Sequence, residues 1–374
     1  MSIVSRGPRL RRRRFLRLVV LAAVLLAIAP TVSYLRALTA PGSATWQMRT
    51  VDWIRAQHGD GLVNAVENWY YTRHKPAAGP PPAAALPRIS ALSGRAVGPV
   101  PAPLPRLADV PQLPGESTWS AGRIGAGGSP LIYTGFLRPD PAHLSIVAGV
   151  AWIRAKGTST HLVAGTAQPG GTGWPGDAAV PTADVGKLVA TFNSGFKMRD
   201  TAGGFYLAGR SSRPLADGLA SFVIDKHGAV TIGAWGRDVS MTAGVAAVRQ
   251  NLALVVDRGE PVPGLSSNAN GRWGTARNQY QYTWRSGAGI DAHGNLVYVA
   301  GDKLNLATLA TAMVAAGIVR GMQLDIHPGM ASFSSWRPLA GTSVSTPDKL
   351  LPAMTRPADR YLVPDQRDFF YVTG

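Results

Sequence analysis

Cysteine is absent from all 374 residues. Thiol nucleophiles, cysteine-based zinc sites and iron–sulfur clusters are thereby excluded, and an exported domain must hold together through its core rather than through disulfides. Glutamate is nearly as scarce: beyond residue 115 only Glu116 and Glu260 occur, one at the margin of the main domain and one in a Pro/Gly turn. A glycosidase pair of two glutamates is therefore not on offer, and aspartate or histidine has to supply any acid–base chemistry. Gly-x-Ser-x-Gly is missing as well. A Ser-His-Asp arrangement stays open only through Ser194 and Ser286, both in glycine-rich turns.

What the chain has in excess is positive charge, a formal +17. Divided along the sequence, residues 1–75 carry net +9, residues 76–115 net +2 and residues 116–374 only +6. Most of the excess thus lies outside the main domain, whose mild basicity suits a cleft for an anionic substrate and gives no support to a nucleic-acid-binding role.

Seven arginines fall within residues 1–17, followed by the apolar run Leu18–Ala29. A charged segment with an apolar segment behind it is an export signal or a membrane anchor. Arg12-Arg13-Arg14-Phe15-Leu16-Arg17 resembles the twin-arginine export pattern without the usual Ser or Thr in front. An arginine cluster obeying the positive-inside rule is the other reading. Ala27-Ile28-Ala29 has the small-x-small form of a cleavage site, but Pro30 directly after it disfavours cleavage. The expectation is an uncleaved anchor over 18–37 behind a basic cytoplasmic segment 1–17, with the main domain extracytoplasmic. Cleavage would instead make the protein secreted.

Residues 38–75 read as one or two juxtamembrane amphipathic helices, broken near Gly59-Asp60-Gly61, with Trp46, Val51, Ile54, Leu62, Val63, Val66 and Trp69 as apolar positions. They suit either a lipid interface or packing on the main domain. Pro and Ala dominate residues 76–115, which read as a linker or wall-spanning stalk. From 116 to 374 the pattern is of strands in hairpins. Ile132–Leu137, Ser145–Arg154 and Leu188–Phe192 are β-rich, Asp225–Gly228 and Asp291–Gly294 are hairpin turns, and Asp368–Val372 is a last strand. One clear helix covers Leu306–Ala316, capped by Asn305 and stopped by Gly317. The expected fold is α+β: mostly antiparallel strands with a few helices in one large domain, preceded by a signal or transmembrane helix.

Three constellations carry candidate chemistry. Phe192-Asn193-Ser194-Gly195-Phe196-Lys197 runs a strand into a glycine turn where backbone N–H groups and an amide converge, and Gly203-Gly204-Phe205 extends that region. Asn193 is equally an ordinary turn residue. In Trp284-Arg285-Ser286-Gly287-Ala288-Gly289-Ile290-Asp291, Arg285 precedes small residues, and a guanidinium suits a pair of phosphate oxygens. Met322-Gln323-Leu324-Asp325-Ile326-His327-Pro328-Gly329 is a buried strand ending in a Pro-Gly turn. Asp325 and His327 lie two apart, so an ideal strand sends both from one face. The pair suits proton transfer; as metal ligands they lack a third partner, so no metal and no other cofactor is expected, with a divalent cation left open.

The order of these blocks resembles the phosphodiester glycosidase family, that of the enzyme uncovering mannose 6-phosphate by removing N-acetylglucosamine from a phosphodiester. The likeness spans about residues 185–335. Asn193-Ser194-Gly195-Phe196 stands where the family has Asn-Gly-Gly-Phe, Arg285-Ser286-Gly287-Ala288-Gly289 where it has Arg-Thr-Ala-Ile-Gly, and Leu324-Asp325-Ile326-His327-Pro328-Gly329 where it has Leu-Asp-Gly-Gly-Gly-Ser. Ile-His-Pro thus replaces a triple glycine. The resemblance implies the fold and a phosphodiester glycosidase reaction; with the N-terminal export or anchor segment, the expectation is an envelope-exposed hydrolase of a sugar-1-phosphodiester in a surface glycan or glycolipid. Arg285 would hold the phosphate with help from Lys197, and Asp325 would be nucleophile or general base. His327 would protonate the leaving phosphate or orient Asp325. Asn193, Gly195, Phe196, Lys197 and Gly204 would line the substrate. The alternative is a non-catalytic envelope protein that binds an anionic wall polysaccharide in the same cleft.

Overall fold

The computed structural model describes residues 8–40, 42–87, 98, 100–268, 270–274, 280–338 and 345–374; within the first helix, the side chains of 8–14, 16, 20 and 22–26 also lie outside the described set. The chain divides into two compact units, Met1–Ala65 and Val66–Gly374.

In the first unit, helix α1 (Pro8–Thr39) is followed by α2 (Trp46–Ala56) and the start of α3 (Asp60–Arg73). The end of α1 packs on α2 through aromatic and polar contacts: Tyr34 lies 5.0 Å from Trp53, and the Trp53 indole donates to Ser33 Oγ at 3.1 Å. Arg49 donates to the Ala37, Ala40, Gly42 and Ala44 carbonyls, capping the C-terminal end of α1 as a cation should. Among the described residues no helix is long and apolar enough to cross a membrane. The expected anchor over 18–37 falls on α1, and many side chains of its apolar run lie outside the described residues.

The second unit is built from strands. In chain order they are β1 (Ser120–Ala121), β2 (Ile132–Leu137), β3 (Ala148–Ile153), β4 (Ser159–Val163), β5 (Leu188–Asn193), β6 (Phe205–Leu207), β7 (Arg210–Arg213), β8 (Ala220–Asp225) and β9 (Val230–Ala234). There follow β10 (Val245–Gln250), β11 (Leu254–Asp257), β12 (Glu260–Pro261), β13 (Thr283–Ile290), β14 (Leu296–Leu304), β15 (Arg320–Ile326), β16 (Phe333–Pro338), β17 (Ser345–Lys349) and β18 (Phe369–Thr373). A short α4 (Thr182–Val185) precedes β5, and α5 (Leu306–Ala315) links β14 to β15.

These strands form three sheets, ordered β1-β2-β3-β14-β13-β15-β11-β12, β7-β6-β10-β8-β9 and β17-β16-β5-β18-β4. The pairings between strands are antiparallel, so the fold is α+β with mostly antiparallel sheets. Alternation on β14 shows how the layers are specified. Leu296, Tyr298 and Ala300 face a core shared with the other sheets, while Val297 and Val299 face α5. On β13 the same parity puts Ser286 and Ala288 toward the shared core and Arg285, Gly287 and Gly289 toward α5. The glycines are small because α5 and the turn after it lie close: a Cβ on Gly287 would sit 2.6 Å from Met313 Sδ, and one on Gly289 2.3 Å from Ile318 Cγ2.

The shared core is aromatic. Phe370 stacks at 5.2 Å on Phe192 and at 4.2 Å on Phe222, and Phe333 lies 5.9 Å from Phe192 and 4.8 Å from Tyr298. Each such ring contributes roughly 1.5–3 kcal/mol by burial, so the cluster fixes where the ends of β5, β13 and β15 meet. The described part of the Pro/Ala-rich stretch runs against this unit: Leu144 and Ser145 N–H groups donate to the Ala78 and Ala77 carbonyls, and Leu104 is buried. Residues 88–97 and 99 of that stretch lie outside the described residues.

Candidate active site

Asn193 ends β5 with its amide fully used. Its Oδ1 accepts from the Tyr298 hydroxyl at 2.8 Å and the Ser332 N–H at 2.9 Å, while Nδ2 donates to Ser194 O at 2.8 Å and Ser286 Oγ at 3.0 Å. Ser286 in turn donates to the Asp325 carbonyl at 2.8 Å. One amide therefore ties β5, β13, β14 and the turn before β16 together and, through Ser286, fixes the backbone of Asp325.

Asp325 owes its direction to a β-bulge. Arg285 pairs with Ile326 and Gly287 with Gln323, so Leu324 and Asp325 together oppose Ser286. Two residues against one break strand alternation and turn Asp325 toward the Asn193 side of the sheet. Its Oδ1 accepts the Ile326 N–H at 2.9 Å, and its Oδ2 lies 2.7 Å from Arg367 Nη2. At 7% exposure, burial raises the Asp325 pKa above the ordinary carboxylate range, outweighing the opposite pull of Arg367, the Ile326 N–H and Lys197.

The cation beside Asp325 is thus Arg367, just ahead of β18. It also donates to the Gly195 carbonyl at 3.0 Å, which joins the Asn193 turn to the carboxylate. Arg285 lies on the α5 face of β13 instead. It is fully buried and donates to the Leu304 carbonyl at 3.0 Å and the Gln281 carbonyl at 3.4 Å, and burial brings its pKa down to about 9. The expected meeting of Asn193, Arg285 and Asp325 is therefore a meeting of Asn193, Ser286, Asp325 and Arg367.

Behind Arg367 a second cluster sets the local charge. Arg360 grips Asp365 with Nε to Oδ2 at 2.7 Å and Nη2 to Oδ1 at 3.1 Å, and Arg356 adds a contact at 3.1 Å. Burial works against the Asp365 charge, but Arg360, the Arg367 N–H and Arg356 carry its pKa down to about 2. Arg360 also donates to the Gly329 carbonyl and acts on Asp325 electrostatically. Arg356, Arg360, Arg367 and Lys197 outnumber Asp325 and Asp365, while Asp200 is itself paired with Arg199 at 3.7 Å. That imbalance suits an anionic ligand.

His327 departs from Asp325. Its φ of 77° is in the left-handed region, where a glycine would be unstrained. The imidazole stacks at 5.3 Å on Tyr71 of α3, with Nε2 3.6 Å from Glu67 Oε2 and Nδ1 3.3 Å from Thr283 Oγ1. Burial raises the Tyr71 pKa to about 12, so that hydroxyl stays protonated at neutral pH.

The remaining candidates divide. Gly195, Phe196 and Lys197 stay at the site: the fully buried Asn251 accepts the Phe196 N–H at 3.3 Å and donates to the Gln323 carbonyl at 2.7 Å, clamping this turn to β15. Gly204 serves packing, since a Cβ there would lie 2.3 Å from the Pro214 carbonyl oxygen. Among the described residues no group of three or more His, Asp or Glu is arranged to hold a metal ion. A cavity of about 1100 Å³ lined by Trp152, Arg154, Lys156, Asp291 and His293, and one of about 390 Å³ lined by Asp217, Trp235, Arg237 and Asp257, lie apart from Asn193, Asp325 and Arg367.

Sequence reasoning misses Arg367, Asn251 and Tyr298. The one signal for Arg367 is a charged run, Asp365-Gln366-Arg367-Asp368, directly before an all-buried strand.

Fold and site together define an α+β, mostly antiparallel protein with a buried carboxylate–guanidinium pair where two sheets meet. No family model matches the chain, and no curated protein matches it. Among solved structures, the catalytic domain of zebrafish N-acetylglucosamine-1-phosphodiester α-N-acetylglucosaminidase, auto-inhibited by its pro-peptide, is similar at TM-score 0.44 and 14% identity over 68% of this chain and 87% of that one. A hypothetical protein from Synechocystis gives TM-score 0.36 and 14% identity over 71% and 64%. A Burkholderia pseudomallei K96243 protein assigned as exported gives TM-score 0.32 and 12% identity over 61% and 74%. These are weak likenesses at the level of fold.

Proposed function

We propose that this chain is an envelope-exposed hydrolase that cleaves a sugar-1-phosphodiester in a surface glycan or glycolipid. The observation carrying this reading is Asp325 at 2.7 Å from Arg367, with Lys197 in its field, at the junction of the Asn193, Ser286 and Asp325 blocks. A diester phosphate approaching this site meets Arg367 and Lys197 and shares the guanidinium with Asp325. Asp325 then acts as general base. It takes a proton from water as the water oxygen adds to the anomeric carbon, and the bond from that carbon to the phosphate oxygen breaks. The electron pair leaves with the phosphate, giving free sugar and a phosphomonoester. Phosphate is already a good leaving group, so no acid is required on its side, and His327, turned to α3, is free of that task. Asn193 and Ser286 position Asp325 through its carbonyl. The arginine-rich, apolar N-terminus supports an envelope location with membrane attachment.

One observation favours a second reading, binding of an anionic wall polysaccharide without turnover: Asp325 is only 7% exposed. Purified protein incubated with UDP-N-acetylglucosamine and with glycosyl phosphodiesters separates the two. Hydrolysis predicts release of reducing sugar that falls by at least about 100-fold in Arg367→Gln, the scale of removing one charged transition-state contact. Equal release by wild type and variant sinks the hydrolytic reading.

A further inference from the structure

The last two turns of α3 carry two different faces. Glu67, Asn68 and Tyr71 point inward at His327, two residues beyond Asp325, and at Gln281 and Tyr282 ahead of β13. Glu67 lies beside His327, Asn68 Oδ1 accepts from Gln281 at 2.6 Å, and Tyr71 stacks on His327 while its carbonyl accepts the Tyr282 N–H. Val66, Trp69, Tyr70 and Arg73 follow i, i+3, i+4, i+7 spacing and lie roughly 160° around the helix from that inner face, at about 100° per residue. Val66 is 55% exposed, Trp69 54% and Tyr70 46%. A soluble surface seldom groups its large apolar side chains in one stripe.

The composition of this stripe selects its occupant. Trp and Tyr carry a polar edge on an apolar body, the type enriched where lipid headgroups meet acyl chains. The cations are at the same end: Arg73 lies over the Trp69 ring at 5.2 Å, and exposed Lys75 follows the helix. Cations interleaved with aromatics complement an anionic bilayer. We propose that the outer face of the last two turns of α3 seats in the headgroup region of an anionic membrane, so that the domain whose His327 loop the inner face holds acts on an amphiphilic phosphodiester borne by that membrane. This inference rests on the phosphodiester reading and names its substrate class: a glycolipid rather than a soluble polymer.

The absence of cysteine allows a local test on the full chain. Val66→Cys, labelled with an environment-sensitive fluorophore, is mixed with vesicles of equal parts phosphatidylglycerol and phosphatidylcholine. Val363→Cys, on an exposed side chain of the main body, serves as control. The label at 66 is expected to shift to the blue and be quenched by brominated lipid, while the label at 363 stays water-like. A second arm compares Val66→Ser/Trp69→Ser with wild type. Hydrolysis of a vesicle-borne glycosyl phosphodiester is expected to fall at least about tenfold, equivalent to about 1.4 kcal/mol of lost interfacial binding. Hydrolysis of a short water-soluble diester is expected to stay unchanged. A water-like label at 66 with vesicles, or a blue shift without vesicles accompanied by a doubled mass, overturns the inference and leaves the hydrolytic reading intact. A label that enters the bilayer while neither diester is hydrolysed removes the substrate class together with that reading, but not the membrane seat.

Discussion

Replacing Asn193 by Ala removes the amide on which the site is assembled. In the native chain the Tyr298 hydroxyl and the Ser332 N–H both donate to Asn193 Oδ1, at 2.8 and 2.9 Å, and both are buried. The substitution leaves the Ser332 N–H without its acceptor and takes the 2.8 Å acceptor from Tyr298, whose hydroxyl keeps a 3.4 Å contact to the Ser332 carbonyl and its interaction with Ser286. Each orphaned buried donor costs roughly 1–3 kcal/mol. Ser286 keeps the Asp325 carbonyl as acceptor and adds little. The expected loss is about 3–4 kcal/mol in urea unfolding, at an unchanged dependence on denaturant. Tyr298→Phe costs less, about 1 kcal/mol, because Asn193 Oδ1 still holds Ser332. Since the two residues share one hydrogen bond, the double variant is expected to lose less than the sum of the singles by about 1 kcal/mol. A loss below about 1 kcal/mol for Asn193→Ala, or strict additivity with Tyr298→Phe, would show that the Asn193 amide does not hold these donors.

Three further outcomes follow from the same geometry. The folded pKa of Asp365, about 2 against an ordinary 3.8, means stability that is fully present above the ordinary value and lost as pH falls toward 2, worth about 2 kcal/mol; urea midpoints measured down that range should fall more steeply in wild type than in Asp365→Asn. Asp325, with its pKa raised by burial, must ionise to act as a base, so the acid limb of kcat/KM should lie above the ordinary carboxylate range, and a limb at or below that range contradicts the assignment. At His327, with φ 77°, glycine is expected to be more stable than alanine by about 1 kcal/mol, since both lose the ring but only glycine relieves the backbone; thermal unfolding of the two variants decides it.

The sequence reveals those features that depend on local pattern. β2 is readable because Ile132–Leu137 is a β-rich run. The hairpin turns at Asp225–Gly228 and Asp291–Gly294 are readable because Asp and Gly supply the turn chemistry, and both Gly228 and Gly294 take positive φ. Helix α5 is readable at both ends: Asn305 Oδ1 accepts the Thr308 N–H at 2.8 Å, and Gly317 takes φ 85°. Period-2 reasoning fails at the third block, where it sends Asp325 and His327 from one face. A bulge turns the first and a left-handed backbone turns the second, and neither leaves a signal in residue type. The left-handed region favours glycine, so the backbone at His327 is glycine-like while its side chain is not.

Arg285 shows a different limit. Block order singles it out, but its immediate neighbour Ser286 is the side chain on the Asp325 side, a distinction of strand parity that requires knowing which face α5 covers. Arg367 reaches Asp325 across 42 positions of sequence through the packing of β18 on β5, which no local pattern encodes. The Glu116 carboxylate, conspicuous for its rarity, is held in a buried fork by Arg138 at 2.7 and 2.8 Å and serves the fold.

In the proposed reaction the Asp325 carboxylate, held by Arg367, is the base that hydrolyses a sugar-1-phosphodiester. A phosphorus NMR time course on one synthetic glycosyl phosphodiester, run side by side with wild type and Asp325→Asn, tests it most directly. Wild type is expected to convert the diester signal to that of a monoester, while the variant, folded to the same extent by circular dichroism, is slower by about 1000-fold or more, as for loss of a catalytic base. Conversion at the same rate by both proteins, or by neither, contradicts it.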